Sequence, residues 1–138
     1  MATAPATSAH TAPSKKAQRT GWVLSGIVIA FLLMDSTMKL LALPVVTQAS
    51  ATLGWPDDVG TARLLGALLL SITILYTVRR TSILGAILLT GYLGGAVATH
   101  ARIGSPLFTH ILFGVYLGVL AWAGLYLRNP KLRELFAN

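Results

Sequence analysis

Four long apolar runs are the feature that most limits how this chain can fold. They cover residues 21–43, 60–78, 82–99 and 106–127. A helix rises about 1.5 Å per residue and the hydrocarbon core of a bilayer is about 30 Å thick, so about 20 residues cross it. Because a lipid-embedded segment must satisfy its own backbone hydrogen bonds, the runs predict an all-α integral membrane protein. We expect a four-helix bundle with antiparallel up-down topology.

Composition points to the same class and narrows the chemistry. Of the 138 residues, 54% are hydrophobic and 11% are charged, whereas about 25% are charged in an average soluble domain. The net charge of +7 does not indicate nucleic acid binding, because the basic residues lie at the ends of apolar runs. Since the chain has no cysteine, it offers no disulfide, catalytic thiol, Fe–S cluster or cysteine zinc site of its own.

The basic residues are divided unevenly between the two ends of the runs. One side carries Lys15, Lys16, Arg19, Arg79, Arg80, Arg128, Lys131 and Arg133, and the other carries Lys39, Arg63 and Arg102. Positively charged flanks stay in the cytoplasm. The pattern therefore predicts a multi-pass protein of the bacterial inner membrane with both termini cytoplasmic.

Polar segments surround the runs. Residues 1–20, rich in Ala, Thr, Ser and Pro, are predicted to form a disordered cytoplasmic tail, and residues 129–138 a second cytoplasmic tail. Residues 45–59 are expected to form an outer loop, with Pro44 ending the first helix because the residue before a proline resists the α conformation. The short link at Arg79 makes the second and third helices antiparallel neighbours.

Small residues recur at four-residue spacing inside the apolar runs. The pairs are Gly91 with Gly95, Gly114 with Gly118, Ala62 with Gly66, and Gly94 with Ala98. This spacing lets helix backbones approach closely in lipid. Close packing within the chain is the first interpretation, and contact with a second copy or a ligand groove is the alternative.

Asp35 and Lys39 are the charged residues placed deepest in a run. Their four-residue spacing puts them on one helix face, where they can pair. Asp35 lies about 12 Å below the end of its run at about 1.5 Å per residue. A carboxyl at that depth must be paired, protonated or turned toward a wet cavity. It is either a proton-handling or ligand-contacting acid, or half of an ion pair that locks the first helix into the bundle.

Other ionisable residues lie at a similar level of the neighbouring runs. The candidate ligand-binding cluster is Asp35, Lys39, Arg63, His100, Arg102 and His110. Its excess of cations suits a lipid phosphate, a small anion or a quinone carbonyl. The alternative for Arg63 and Arg102 is that their long stems carry the charge to the headgroups.

No catalytic residue and no metal site are predicted. His100 ends one run and His110 follows after a short loop, which does not suit two haem ligands on facing helices. The residue types of a Ser-His-Asp catalytic triad are present as Ser36, His100 and Asp35. No nucleophile motif supports catalysis by such a triad. These residues do not predict a bound cofactor. Quinone is the possible cofactor that the polar cluster would suit.

Residues 84–102, followed by Pro106-Leu-Phe and residues 118–128, resemble the DoxX-like family of small four-helix membrane proteins. Asp35, Lys39 and the loop Leu53-Gly-Trp-Pro fit the family too, and the resemblance extends over residues 21–133. It implies four transmembrane helices and an association with respiratory or redox machinery, since relatives include a membrane subunit of a thiosulfate:quinone oxidoreductase. The family offers no agreed catalytic residues. Its acidic residue in the second helix is absent here, because residues 66–70 are apolar.

Together these observations predict a membrane subunit or a small-ligand-binding protein, for quinone or lipid, linked to redox machinery and without catalytic activity of its own. The alternatives are a quinone-linked membrane oxidoreductase and a transporter-like lipid-handling protein. The expected partners are membrane lipid, a redox partner protein and a second copy through the glycine faces, with no nucleic acid.

Overall fold

The computed structural model describes residues 13–137, which are helical over most of their length. The helices are α1 (Lys15–Leu40), α2 (Pro44–Thr52), α3 (Val59–Thr77), α4 (Ser82–Arg102), a π-helical turn (Leu107–Ile111), α5 (Phe113–Arg128) and α6 (Pro130–Phe136). Four segments are long and apolar enough to cross a membrane: α1, α3, α4, and the turn together with α5. The predicted all-α fold with four membrane-spanning segments is confirmed.

The four long helices form a ring in which each one packs against two neighbours. Helix α1 contacts α3 and α5, and α4 contacts the same two helices. Leucines fill the centre, among them Leu32, Leu69, Leu89 and Leu125, all at most 1% exposed. Apolar side chains such as that of Leu64 cover the outside, as expected of a surface that faces lipid.

Helix α1 begins and ends earlier than the sequence indicates. It starts at Lys15 because the Ser14 hydroxyl accepts a hydrogen bond from the Ala17 N–H at 3.2 Å and caps the first turn. The predicted tail of residues 1–20 is therefore wrong over residues 15–20, and residues 1–12 lie outside the described part. The helix ends at Leu40 rather than at residue 43, and Ala42 turns the chain with a φ of +49°.

The predicted outer loop, residues 45–59, contains a helix. Pro44 does not merely follow α1; it occupies the first turn of α2, where its missing N–H costs nothing. The connection then reaches Asp58, whose carboxylate accepts hydrogen bonds from the Thr61 hydroxyl at 2.7 Å and N–H at 2.8 Å. These bonds hold the pKa of Asp58 below its usual value and cap α3.

Two further boundaries differ at the C-terminal half of the chain. Helix α4 continues to Arg102 instead of residue 99, and the run predicted from residue 106 opens with the π-helical turn before α5. The segment 129–138, predicted as a polar tail, forms α6 over Pro130–Phe136. Its Leu132 is 2% exposed and joins the core, which ties α6 to the bundle.

Arg128 joins the ends of three helices. Its side chain is 2% exposed, although the sequence pattern places it among the residues that mark orientation. The guanidinium Nε donates to the Ser25 hydroxyl at 2.8 Å, and Nη2 donates to the Tyr76 carbonyl at 2.7 Å. It also lies over the rings of Trp22 and Tyr76, 4.6 Å and 4.9 Å from their centroids. Carbonyl oxygens at helix C-termini and aromatic faces both stabilise a cation.

These contacts extend into a chain of hydrogen bonds. The Tyr76 hydroxyl donates its single proton to the Ala121 carbonyl at 2.7 Å. The Ser25 hydroxyl, 3.1 Å away, must then donate to the Tyr76 oxygen. The sequence of donors runs from Arg128 on α5 to Ser25 on α1, to Tyr76 on α3 and back to α5. Each polar group in this buried chain has a partner.

The contacts of Arg128 define two ends of the bundle. At the basic end lie the first turns of α1, the last turn of α3 and the end of α5. The start of α4 lies there too, because the Asn129 amide donates to the Ser82 hydroxyl at 3.2 Å. We call the opposite end, where His100 and His110 lie, the histidine end.

Replacing Arg128 tests how much this network stabilises the fold. Arg128→Met should lower the free energy of unfolding in detergent by about 3 kcal/mol, because it leaves the Ser25 hydroxyl and Tyr76 carbonyl without their donors. Thermal unfolding followed by circular dichroism measures the change. Arg80→Met, at an exposed position of the α3–α4 link, is the matched control and should stay within about 0.5 kcal/mol. Equal stability of the two variants would contradict the role of the buried guanidinium.

Candidate functional site

A cavity of about 470 Å³ occupies the half of the bundle toward the histidine end. All four long helices contribute to its wall, and the segment between α1 and α3 adds Ser50, Leu53 and Trp55. Most of the lining is apolar, with leucines and phenylalanines from α1, α3 and α5. The polar groups are few, as in many small-molecule sites.

The glycines explain part of this space, and they correct the predicted packing. Gly66 and Gly114 are close to neighbouring helices, since an added Cβ would lie 2.8 Å from the Leu40 nitrogen and 2.9 Å from a Val97 methyl group, respectively. At Gly91, Gly94 and Gly95 an added Cβ would meet nothing within 4 Å. The first interpretation of Gly91 and Gly95, close packing within the chain, is therefore wrong; both line the cavity, as the alternative of a ligand groove requires.

Asp35 and Lys39 lie in the cavity wall and contact each other directly. The Lys39 ammonium donates to the Asp35 carboxylate, one turn apart on α1. The two side chains are 30% and 17% exposed, respectively, and both border the cavity. The structure contains the ion pair that was one of the two interpretations of Asp35. Because both side chains border the cavity, the pair is also in position to contact a ligand, which was the other interpretation.

His100 and His110 come together across the link between α4 and α5. Their rings lie edge to face with centroids 5.6 Å apart, and both line the cavity. Nδ1 of His100 is 3.1 Å from the Ser105 hydroxyl, and Nδ1 of His110 is 2.8 Å from the Thr109 hydroxyl. The π-helical turn that carries His110 is a geometry often found at functional sites.

The structure does not place Arg63 and Arg102 in the cavity wall. Both side chains are exposed, and each donates to a backbone carbonyl: Arg63 to Leu40 at 3.2 Å and Arg102 to Leu53 at 2.6 Å. The six residues of the predicted cluster thus divide into four that line the cavity and two that hold backbone segments at its edge.

Sequence analysis missed several residues of the site. Tyr92 and Trp55 line the cavity, although neither belongs to the predicted cluster. The spacing of Tyr92 from His100, two turns later on the same helix face, is a signal that links them. For Trp55 the sequence carries no such signal, because its position depends on how α2 folds over the bundle.

A second depression lies on the outer surface between α4 and α5. It encloses about 770 Å³ and is almost wholly apolar, with Gly94, Gly118 and Trp122 in its wall. The Trp122 N–H donates to the Thr90 hydroxyl at 2.8 Å, so the indole polar atom is satisfied. We call this depression the outer groove.

The cavity offers hydrogen-bond donors and one carboxylate rather than a metal-binding set. Within residues 13–137, no three side chains of His, Cys, Asp or Glu lie together as a metal site requires. An ammonium paired with a carboxylate, beside two imidazoles, suits an uncharged or anionic oxygen acceptor on a ligand with an apolar body.

The Asp35–Lys39 pair is testable by a double-mutant cycle. Asp35→Asn should lower stability in detergent because it leaves the Lys39 ammonium unpaired at membrane depth, and adding Lys39→Met should recover part of the loss. We expect a coupling energy of about 1 kcal/mol or more, measured by detergent-based unfolding. The same substitutions at Asp57 and Lys131, far apart in the chain and both exposed, should be additive. Additivity at Asp35 and Lys39 as well would argue against an ion pair.

Comparison with known proteins agrees with the fold. The model of the DoxX-like family matches residues 23–124, a span that starts in α1 and ends in α5 and includes the whole cavity wall. No curated protein and no solved structure matches the chain. With four membrane-spanning helices around the cavity and a family match over most of its length, the chain belongs to the DoxX-like family.

Proposed function

We propose that this protein binds one small amphipathic molecule, a quinone or a lipid, and serves as a non-catalytic membrane subunit linked to redox machinery. The observation that carries the proposal is the cavity of about 470 Å³, with an apolar wall and polar groups grouped toward one end. Ligand pockets of roughly 300–1,000 Å³ with this division of surface are typical of small-molecule sites.

The polar groups suit a head that accepts hydrogen bonds. Lys39 carries three N–H donors, and Asp35 accepts one of them. His100 and His110 are held through Nδ1, so Nε2 of each ring is the nitrogen available to a ligand. A quinone carbonyl or a phosphate oxygen placed here would accept charge-assisted bonds, which are stronger than neutral ones.

The apolar groups suit a ring or chain below that head. Phe31, Phe113 and Leu117 line the cavity beneath the polar cluster and continue into the buried leucine core. Burying apolar ligand surface there is favourable by about 25 cal/mol per Å². The link to redox machinery has a separate basis, since membership of the DoxX-like family implies it.

Purification in mild detergent tests the ligand proposal. Mass spectrometry of the extracted protein should find about one quinone or lipid molecule per chain. Gly95→Leu should reduce that occupancy severalfold, because the new side chain fills the cavity without a clash. The matched control is Gly26→Leu, which also adds a leucine at a helical glycine with open space but lies away from the cavity.

Three outcomes distinguish the alternatives. A visible chromophore on the purified protein would favour the quinone-linked oxidoreductase. A lipid that exchanges between vesicles in the presence of the protein would favour a transporter-like lipid-handling protein. An empty protein in every detergent would contradict ligand binding and leave a partner-dependent subunit.

We also propose that both termini face the cytoplasm of a bacterial cell. Eight of the eleven Lys and Arg residues flank the basic end, which holds the start of α1 and the end of α5. The positive-inside rule supports this orientation, since cytoplasmic loops carry the excess of basic residues. A redox partner protein and a second copy stay predictions.

Cysteine labelling tests the orientation, because the chain has no cysteine of its own. In intact spheroplasts, a membrane-impermeant maleimide should label Gln48→Cys on α2 and leave Ser14→Cys unlabelled until the membrane is broken. Both positions are exposed, so accessibility within the protein does not differ. The reverse pattern would place the termini outside.

A further inference from the structure

Two of the four contacts between neighbouring helices are closed by glycine at the histidine half of the bundle. Between α1 and α3, a Cβ at Gly66 would lie 2.8 Å from the Leu40 nitrogen. Between α4 and α5, a Cβ at Gly114 would lie 2.9 Å from Val97. Backbones this close leave no passage for a molecule along either contact.

The contact between α1 and α5 is closed by aromatic rings. The rings of Phe31 and Phe113 lie tilted by 60° with centroids 5.2 Å apart, within the usual range for an aromatic pair. Both rings also line the cavity. They therefore form its wall at the third contact.

The contact between α3 and α4 differs, because exposed glycines of α4 border it beyond the basic half. At the basic half, a Cβ at Gly85 would lie 2.2 Å from the Tyr76 nitrogen, so the backbones touch. Six and ten residues later, at Gly91 and Gly95, an added Cβ would meet nothing within 4 Å. On the α3 side the cavity is lined by Leu68, which is 50% exposed. Gly91 and Gly95 are also exposed and line the cavity, so the cavity reaches the outer surface between these two helices.

We infer that the cavity opens sideways into the hydrocarbon core between Leu68 and Gly91, and that its ligand enters from the bilayer. This inference rests on the proposed function and narrows its ligand class. The ligand is a molecule dissolved in the membrane, with an oxygen-bearing head and a body narrow enough to pass between Leu68 and Gly91.

The depth of the opening supports a route through lipid. Gly91 is nine residues into α4, about 14 Å along a helix of roughly 32 Å. This level corresponds to the middle of the hydrocarbon core. Water and ionic solutes do not reach it from outside the protein, whereas apolar molecules concentrate there.

A link between helices covers part of the cavity at its aqueous side. Leu53 and Trp55, in the link that follows α2, line the cavity from the histidine end. Arg102 holds this link by donating to the Leu53 carbonyl at 2.6 Å. Gly54, with a φ of +79°, lets the Arg102 guanidinium lie where a side chain would otherwise project. This link therefore narrows entry from the water interface, whereas Leu68, Gly91 and Gly95 open toward the membrane.

Reversible crosslinking across the opening tests the route. In nanodiscs, Leu68→Cys/Gly91→Cys is bridged with a short bis-methanethiosulfonate reagent and released with dithiothreitol. Two probes are used, decylubiquinone and a dibrominated phospholipid, because both quench tryptophan and Trp55 lines the cavity. The Trp55→Phe version of each variant gives the signal from the other two tryptophans. The matched control, Tyr126→Cys/Phe136→Cys, bridges α5 and α6 at two rings whose centroids lie 6.3 Å apart and which do not line the cavity.

The expected result is that the bridge between positions 68 and 91 slows uptake of at least one probe about tenfold or more, as a blocked access step would. Dithiothreitol should restore the rate, and the control bridge should leave it unchanged. A bound probe whose uptake ignores the bridge would overturn the lateral route while the proposed function stands. Equal slowing by the control bridge would overturn it too, because crosslinking itself and not closure of the opening would then be the cause. If neither probe binds the unbridged protein, the proposed function fails and the route fails with it.

Discussion

The structure depends on the buried guanidinium of Arg128. A cation at the edge of the hydrocarbon core is tolerated only where acceptors surround it, and here the acceptors come from α1 and α3 while the cation comes from α5. Satisfying one charge thus fixes three helices at a common level. Gly124 and Gly21 make this possible, because an added Cβ at Gly124 would lie 2.7 Å from the Ser25 hydroxyl oxygen.

The cavity follows from uneven packing around α4. Near the basic end, glycine brings α4 against α3, whereas two turns further along the same helix its glycines face open space. The ionisable groups that the lipid environment disfavours lie around that space, where Asp35 and Lys39 neutralise each other and the two histidines meet. The arginine network and the cavity with its ionisable groups therefore occupy different halves of one small bundle.

The sequence predicts the spanning helices well, because hydrocarbon thickness sets their length and apolar composition marks each one. It also predicts the Asp35–Lys39 contact, since a four-residue spacing fixes neighbours on one helix face whatever the tertiary structure. Contacts between helices are less accessible. Gly66 and Gly91 occupy similar patterns, yet only Gly66 meets another backbone. Arg128 fits the pattern of an orientation signal, and nothing in its local sequence indicates that it turns inward.

The segment around Pro44 illustrates a different limit. A proline after an apolar run indicates both the end of one helix and the first turn of another. The local sequence does not decide between an open loop and α2, and the choice determines whether Trp55 faces the membrane surface or the cavity. Site residues contributed by connections of this kind follow from the tertiary structure, whereas those within the long helices follow from periodicity.

The separation of the two halves has an evolutionary consequence. Gly85 and Gly95 are ten residues apart, about 15 Å along α4, and substitutions that far apart generally act independently on stability. The lining of the cavity is therefore free to diversify while the arginine network keeps the chain folded. A bundle of this type is suited to acquiring new ligand preferences by a few substitutions on α4, without compensating substitutions in the Arg128 network.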